Sequence, residues 1–263
     1  MTNPCAPFRV AGLAGLALAV AVTLSGRVVA QTPVLTSGHT DIGVGYEAGE
    51  LHPHWHTHVG AVVDGSPEPT DGEYEPDGLI ARTEATRLTP GGGGGLADLL
   101  GVPTGTEVWV MGSTTYQPNV GFGTEELTPA DWLGPITITF NPGASTLPSG
   151  AAFGLYTTNI AGTNVVDRLF SSVSAGATDA ANSLSLNAGD HAHFQWAFTQ
   201  QGLYGLNFTW SGIHKDDGFK TATDTFSVQA VPEPSTIAML TMAGGVAAVG
   251  AMRRRRASRM PGR

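Results

Sequence analysis

The sequence predicts a mainly β protein built as a single antiparallel β-sandwich, immunoglobulin-like or jelly-roll-like, with roughly nine or ten strands. Three observations indicate this fold class. The 263 residues include 36 glycines and 17 prolines, which punctuate short strands and turns rather than long helices. The apolar segments of the body are short, and they either alternate with polar residues or are rich in β-branched ones. Helix-like sequence is confined to a few residues.

Seven segments have the composition of strands. In chain order they are Glu107–Met111, Pro135–Phe140, Ala152–Thr157, Val165–Phe170, His191–Thr199, Leu203–Trp210 and Thr223–Val228. Helix is expected only at Leu96–Leu100 and near Pro129–Trp132. Loops are expected at Asp64–Asp77, which is rich in acidic residues, Pro and Gly, and at the five-glycine run Gly91–Gly95.

A β-hairpin is predicted from His191–Thr199 and Leu203–Trp210, because only Gln200–Gly202 separates them. Alternate residues of a strand share a face. We expect the core rows to be Ala192, Phe194, Trp196 and Phe198 on the first strand and Tyr204, Leu206, Phe208 and Trp210 on the second. His191, His193 and Gln195 then point to the opposite face.

The segment Leu51–Val59 is rich in histidine. It carries, at alternate positions, His52, His54, His56 and His58. If the segment is a strand, these four side chains share one face. Pro53 would then have to lie at a strand start or at a sheet edge, since it has no N–H to donate.

The first 30 residues have the three parts of a secretory signal peptide. Arg9 is the positive charge, Val10–Leu24 is the apolar stretch, and Val28–Ala30 puts small residues at the −3 and −1 positions. We expect signal peptidase to cleave between Ala30 and Gln31. An uncleaved anchor helix is the alternative.

The C-terminal region has a tripartite pattern. The tripeptide Pro232, Glu233 and Pro234 is followed by an apolar stretch, 237–252, and then by an arginine cluster, namely Arg253, Arg254, Arg255 and Arg256. Sixteen helical residues span about 24 Å, and snorkelling arginines can extend this toward the roughly 30 Å of a bilayer core. The arginines are expected to act as a stop-transfer signal and stay cytoplasmic.

This pattern resembles the PEP-CTERM sorting signal, which exosortases of Gram-negative bacteria recognise. The resemblance covers about Val231–Arg256. It implies transient membrane insertion as a transmembrane helix, followed by processing near Pro-Glu-Pro. An ordinary tail anchor is the alternative, and it gives the same topology.

These signals predict four regions. They are a signal peptide with a signal helix at 1–30, a β-sandwich surface domain at 31–230, the sorting signal with its transmembrane helix at 231–256, and a cytoplasmic tail at 257–263. The body is expected outside the cytoplasm, in the cell envelope or extracellular. The C-terminal helix is expected in the inner membrane before processing.

Charge and cysteine content exclude some functions. Eight of the 13 basic residues lie in the two terminal regions, so the body carries 21 acidic and five basic residues, a net charge of −16. Such a body repels phosphate backbones, which argues against nucleic-acid binding. The single cysteine is Cys5, within the predicted signal peptide, so a disulfide framework is excluded from the body.

Four segments of the body together resemble the choice-of-anchor M family of bacterial surface proteins. They are Leu35–Gly43, Asp71–Asp77, Glu107–Val110 with Gly121–Glu126, and Gly189–Thr199 with the nearby Gly202–Tyr204 and Ser211–Gly212. Members of this family carry different anchors, PEP-CTERM tails among them. Related domains occur with metal-type ABC transport systems, which makes metal binding relevant here. The resemblance implies no catalytic residues.

Histidine clustering predicts a metal site. Seven of the eight histidines fall into three groups, and alternate histidines on neighbouring strands can converge on one ion. We predict a site made by His54, His56, His191 and His193, with His39 in reserve. Zinc or copper is the expected ion. The case for calcium at Asp64, Asp71, Glu73 and Asp77 is weaker, because their spacing is not that of an EF-hand.

Three functions remain open. The preferred one is a non-enzymatic structural or binding role at the cell surface or in the extracellular matrix. The alternative is an extracytoplasmic metal-binding module, and a hydrolase is more distant because no nucleophile elbow or zinc-protease helix motif is present. Expected partners are signal peptidase and exosortase during export, the membrane and a cell-surface polysaccharide.

Overall fold

The computed structural model describes residues 31–90, 95–158, 165–173 and 181–232. Within these ranges the protein is mainly β, with three sheets, one short α-helix and one 3-10 turn. The predicted signal peptide and the residues from Glu233 onward lie outside the described residues, and with them most of the predicted sorting signal. No helix within the described ranges has the length and apolar character needed to cross a bilayer.

The strands are numbered in chain order. They are β1 (Val34–Ser37), β2 (His39–Glu47), β3 (Glu50–Thr57), β4 (Val62–Val63), β5 (Ser66–Pro67), β6 (Gly72–Tyr74), β7 (Ile80–Thr83), β8 (Thr86–Leu88), β9 (Glu107–Met111), β10 (Asn119–Gly123), β11 (Ile136–Phe140), β12 (Phe153–Thr158), β13 (Val165–Ser171), β14 (Ser183–Leu186), β15 (His191–His193), β16 (Gln195–Phe198), β17 (Gly202–His214) and β18 (Gly218–Ala230). The helix α1 is Leu96–Leu100, and the 3-10 turn is Pro129–Asp131.

The strands form one sheet of eight and two sheets of five. The first sheet has the order β14-β11-β17-β18-β7-β1-β4-β5, the second β15-β10-β2-β3-β6, and the third β13-β12-β16-β9-β8. The longest ladder joins β17 to β18, whose 13 residues each pair from Gly202–Ala230 down to His214–Gly218. This antiparallel ladder is the centre of the first sheet.

Aromatic side chains from all three sheets meet in one core. Phe122 of the second sheet stacks on Trp196 of the third at 5.6 Å and contacts Phe208 of the first edge-on at 5.2 Å, measured between ring centroids. The buried Trp196 Nε1 donates to the Val120 carbonyl at 3.0 Å, which ties the third sheet to the second. Each of these aromatic side chains contributes a large buried apolar area, roughly 150–250 Å².

The short helix closes a smaller apolar cluster beside the third sheet. Leu96, Leu99 and Leu100 are buried against Val108 and Tyr156. The helix ends at Gly101, whose φ of 64° is the left-handed conformation that terminates many helices.

The individual strands were largely predictable. The strand at Glu107–Met111 and the helix at Leu96–Leu100 are confirmed. The strands expected at 135–140 and 165–170 differ from the observed ones by one residue at one end, and the strand expected at 152–157 is shifted by one residue. The predicted segments 203–210 and 223–228 lie inside the longer strands β17 and β18. The expected loop 64–77 contains the short strands β5 and β6. Residues 91–94 of the glycine run lie outside the described ranges.

The arrangement differs from a single antiparallel sandwich. The described strands form three sheets, and three neighbouring pairs are parallel: β1 with β7, β7 with β18, and β2 with β10. Parallel neighbours require crossover connections, and these are long-range events that strand composition does not encode.

The predicted hairpin of residues 191–199 with 203–210 is wrong. Residues His191–His193 pair with β10, and Gln195–Phe198 pair with β9 and β12, so this segment is shared between two sheets. Strand β17 pairs instead with β11 and β18, and its 13-residue pairing with β18 satisfies far more backbone hydrogen bonds than a four-residue strand could. The face assignment holds in part: Tyr204, Leu206, Phe208, Trp210, Trp196 and Phe198 are buried, whereas Ala192 and Phe194 are half-buried.

Candidate metal centre

The register of the β2–β3 hairpin positions the histidines. A two-residue turn, Ala48–Gly49, joins the strands with φ values of 49° and 88°, as a type I′ turn requires. The pairs that follow place His52 opposite Gly45, His54 opposite Gly43, and His56 opposite Asp41. The histidine row predicted for Leu51–Val59 therefore lies on one sheet face. Pro53 is tolerated because β6 pairs only with residues 55–57 and leaves this part of β3 at an edge.

Two further strands complete this face. Strand β10 runs parallel to β2 and places Asn119 beside His39 and Gly121 beside Asp41. Strand β15 pairs with β10 and places His193 opposite Gly121 and His191 opposite Gly123. The alternate residues on the other face, among them Ile42, Trp55 and Phe122, are buried in the core.

Glycines make the floor between the histidine rows. At Gly121 a Cβ atom would lie 2.2 Å from Asp41 Oδ1 and 3.0 Å from His193 Cε1. At Gly43 it would lie 3.0 Å from His54 Nε2, and at Gly45 it would lie 3.0 Å from Glu126 Oε2. The imidazole and carboxylate groups therefore occupy the space above these glycines, and a side chain at any of the three positions would displace them.

The Asp41 carboxylate is the centre of the first group of ligand atoms. Its side chain is 1% exposed. Oδ2 lies 3.2 Å from His39 Nε2 and accepts a hydrogen bond of 3.1 Å from His58 Nε2, while Oδ1 lies 3.9 Å from His193 Nε2. We call Asp41, His39, His58, His191 and His193 the inner cluster.

Several buried polar atoms of the inner cluster have no hydrogen-bond partner among the described residues. They are His39 Nε2, Asp41 Oδ1, and both ring nitrogens of His193. The His39 nitrogen is close to Asp41 but is not aligned for a hydrogen bond. Buried polar atoms in folded proteins are nearly always paired, so these four atoms, one of them an oxygen of Asp41, have the capacity to bind an ion.

The charges of the inner cluster are coupled. Contact with the Asp41 carboxylate raises the pKa of His39. Burial lowers the pKa of His193, which favours the neutral imidazole that metals bind. Burial would raise the pKa of Asp41, but the neighbouring imidazoles outweigh it, and the pKa is lowered.

Glu125 borders the inner cluster. Its Oε1 lies 2.7 Å from His191 Nδ1, and its Oε2 lies 4.0 Å from His58 Nε2. A carboxylate in this position fixes the orientation of the His191 ring and its tautomer, as carboxylates beside metal-binding histidines commonly do.

A second group of ligand atoms lies next to the first. His54 Nε2 and His56 Nδ1 both lie against one oxygen of Glu126, Oε1, at 2.8 and 2.9 Å. We call His54, His56 and Glu126 the outer cluster. Hydrogen bonds from the two imidazoles lower the pKa of Glu126 to about 2. The His56 and His58 rings, with centroids 4.8 Å apart, connect the two clusters.

Both clusters have the dimensions of a metal site. In His39 with His191 and His193, in His39 with Asp41 and His58, and in His54 with His56 and Glu126, one ligand atom from each residue lies within 4.8 Å of the others. Ligands on a tetrahedral zinc ion, at about 2.0–2.2 Å from the metal, are roughly 3.4 Å apart. Small side-chain rotations would bring these atoms onto an ion.

The structure divides the predicted ligand set. His191, His193 and the reserve ligand His39 come together, whereas His54 and His56 lie in the neighbouring cluster. The sequence prediction missed Asp41, His58, Glu125 and Glu126. Two signals were available: Asp41 follows His39 at the same-face spacing, and glycines alternate at 43 and 45 and again at 121 and 123.

The remaining histidines have other surroundings. His52 Nε2 contacts the Glu47 carbonyl at 3.3 Å, at the exposed end of β3. His214 stacks on Tyr46, with ring centroids 4.6 Å apart, and lies 3.3 Å from Asp217. Neither side chain reaches the two clusters.

The four carboxylates considered for calcium do not converge within the described ranges. Asp64 Oδ1 accepts a hydrogen bond from the Val34 amide at 3.0 Å. Asp71 Oδ1 accepts one from the Val59 amide at 2.8 Å and approaches His58 rather than Glu73 or Asp77. Asp64 and Asp71 thus act as acceptors for backbone amides at two separate places.

Comparison with known proteins identifies the C-terminal segment. Residues 230–256 match the PEP-CTERM protein-sorting motif. The match supports an exported protein that an exosortase processes and sorts to the cell envelope. No curated protein and no solved structure matches the chain.

Proposed function

We propose that this envelope-sorted protein is a non-enzymatic surface protein whose β domain binds a transition-metal ion, zinc or copper, at the inner cluster. The observation that carries this proposal is the set of unpartnered buried atoms around Asp41. Each such atom lowers the free energy of unfolding by about 1–3 kcal/mol when it lacks a hydrogen-bond partner. A bound cation accepts the lone pairs of several of them at once, so it offsets this cost.

The donor set favours a borderline metal ion. The inner cluster offers four imidazoles and one carboxylate, and the body has no cysteine. Imidazole suits zinc and copper(II), whereas magnesium and calcium prefer sites made of oxygen atoms. Glu125 adds an outer carboxylate that orients His191, as in many zinc sites.

The resemblance to choice-of-anchor M proteins agrees with this proposal. The segment Leu35–Gly43 carries His39 and Asp41, and Gly189–Thr199 carries His191 and His193. The segments that resemble the family thus include those that meet at the inner cluster. We infer that the protein holds metal at the cell surface, either to retain it there or to deliver it.

A purely structural surface role is the second candidate. The sorting motif and the acidic body favour it independently of any metal. In this role the exposed face would contact matrix components such as a cell-surface polysaccharide.

Isothermal titration calorimetry of the full chain, first dialysed against a chelator, tests the proposal. We expect zinc or copper(II) to bind with micromolar or tighter affinity. Asp41→Asn and His193→Ala should each weaken binding to the inner cluster by at least about tenfold. His52→Ala is the matched control, because its side chain lies outside both clusters. Absence of binding with either metal would leave the structural role.

A further inference from the structure

We propose that the outer cluster is a second divalent-cation site, so that the histidine face holds two ions rather than one. This inference rests on the proposed function for the face as a whole, but its ligands, His54, His56 and Glu126, are separate from those of the inner cluster. The arguments are the hydrogen-bond pattern, the glycine floor and the adjoining cleft.

The hydrogen bonds of His54 determine its tautomer. His54 Nδ1 lies 3.0 Å from the His52 carbonyl oxygen. A carbonyl oxygen can only accept, so Nδ1 carries the proton, and Nε2 of a neutral His54 is a bare lone pair. That lone pair faces the carboxylate oxygen Glu126 Oε1 at 2.8 Å.

Two acceptors this close repel one another unless a positive charge lies between them. An extra proton on His54 Nε2 would remove this repulsion, and so would a cation bound between the two atoms. His56 Nδ1 also faces Glu126 Oε1, at 2.9 Å, so three ligand atoms surround one point. A divalent ion at this point would bind all three atoms and displace the protons that the two imidazoles otherwise donate to Glu126.

Two glycines of β2, Gly43 and Gly45, leave room for the ligand atoms of the outer cluster. A Cβ at Gly43 would lie 3.0 Å from His54 Nε2, and a Cβ at Gly45 would lie 3.0 Å from Glu126 Oε2. Side chains at these two positions would displace the imidazole and the carboxylate from their shared point. The glycines therefore allow His54 and Glu126 to approach one another across β2.

An acidic cleft opens onto the outer cluster. It has a volume of about 530 Å³ and includes His54 and Glu126 in its lining. The other acidic residues that line it are Glu47, Glu50, Glu73, Glu75 and Asp224. Within a body of net charge −16, such a cleft raises the local concentration of cations at the cluster.

The outer ion should bind more weakly than the inner one. The outer cluster has three ligands, His54, His56 and Glu126, whereas the inner cluster offers four imidazoles and the buried Asp41 carboxylate. An ion held by fewer ligands binds less tightly, and two neighbouring cations repel each other. The outer site therefore exchanges its ion more readily.

The test is the zinc content of the full chain after equilibrium dialysis with zinc alone, measured by elemental analysis. We expect two zinc ions per chain in the wild type and one in Glu126→Gln. His56→Ala should also bind one zinc ion per chain. Agreement between two variants shows that the loss is not caused by a folding defect in one of them. Glu107→Gln, the same substitution in the third sheet, is the matched control and should keep two. Thermal unfolding of each variant verifies that it is folded.

The outcomes separate the two proposals. If the wild type binds one ion that Asp41→Asn or His39→Ala abolishes and Glu126→Gln does not, the second site is overturned and the proposed function stands. If one ion is lost only in Glu126→Gln and His56→Ala, the inner site fails and the outer one stands. Two ions in Glu126→Gln would also overturn the inference, and no bound zinc in the wild type would overturn both.

Discussion

Gly121 lies directly beside Asp41 in the parallel pair of β10 and β2, and no other residue fits there without displacing the carboxylate. A Cβ would lie 2.2 Å from Asp41 Oδ1 and 2.7 Å from the Ala192 carbonyl oxygen. The position of this buried carboxylate thus depends on a residue that offers no ligand atom.

Gly121→Ala should therefore disrupt the inner cluster. We expect a loss of about 1–3 kcal/mol in the free energy of unfolding, since overpacking a tight site costs this much. Zinc affinity should fall by at least about tenfold, because displaced ligands bind as poorly as missing ones. Denaturant unfolding and calorimetry measure the two effects. Gly143→Ala is the control, since a Cβ there meets nothing within 4 Å, and equal effects in both variants would contradict the prediction.

Phe208→Ala should be among the most destabilising substitutions. The Phe208 ring is buried and contacts the rings of Phe122, Phe140 and Trp196. Removing it leaves a cavity between the sheets and should cost about 3–5 kcal/mol in the free energy of unfolding. Phe219→Ala removes the same side chain where it is 69% exposed, and should change stability by less than about 0.5 kcal/mol. Urea denaturation of the two variants tests this contrast.

Stability should fall steeply in alkali. Burial raises the pKa of Tyr156 to about 12, against the lowering effect of nearby Arg87. A raised pKa means that the folded state holds the neutral phenol more strongly than the unfolded state does. The contribution is therefore fully present below pH 10, the unfolded pKa, and is lost as the pH rises toward 12.

Denaturant unfolding at a series of pH values from 9 to 12 measures this loss, which is up to about 3 kcal/mol for this one group. Tyr156→Phe should flatten the alkaline part of the profile, because phenylalanine cannot ionise. If the stability of Tyr156→Phe fell as steeply with pH as that of the wild type, groups other than Tyr156 would be responsible for the alkaline loss of stability.

Metal should stabilise the fold. A ligand that binds only the folded state adds about 2.7 kcal/mol at a concentration one hundred times its dissociation constant. Zinc should raise the thermal unfolding temperature of the wild type, and chelation should reverse the rise. In a double variant that lacks both clusters, Asp41→Asn with Glu126→Gln, the unfolding temperature should not respond to either treatment.

The local structure was predictable where it depends on short patterns. Strands such as Ile136–Phe140 alternate apolar and polar residues, and that period is visible without knowing the partner strand. The sheets were not predictable to the same degree, because pairings such as β7 with both β1 and β18 join residues far apart in the chain. Chain proximity suggested a hairpin at residues 191–210, and the 13-residue ladder to β18 took its place.

The candidate site shows the same division. The two-residue period placed His54 with His56 and His191 with His193, and this holds in the structure. It could not show that β10 and β2 lie between the two pairs and separate them. Glu126 was missed because it follows the end of β10, and its reach to His54 depends on glycines in a different strand.

The inner cluster is made of imidazole and carboxylate groups only. Air and mild oxidants leave these groups intact, whereas thiolate ligands form disulfides or sulfenic acids under the same conditions. Retention of zinc, which has no redox chemistry of its own, therefore responds at this face to acidity and to competing chelators, but not to the redox state of the surroundings. An exported protein has no access to cytoplasmic reductants, and these ligands do not need reduction to remain able to bind metal.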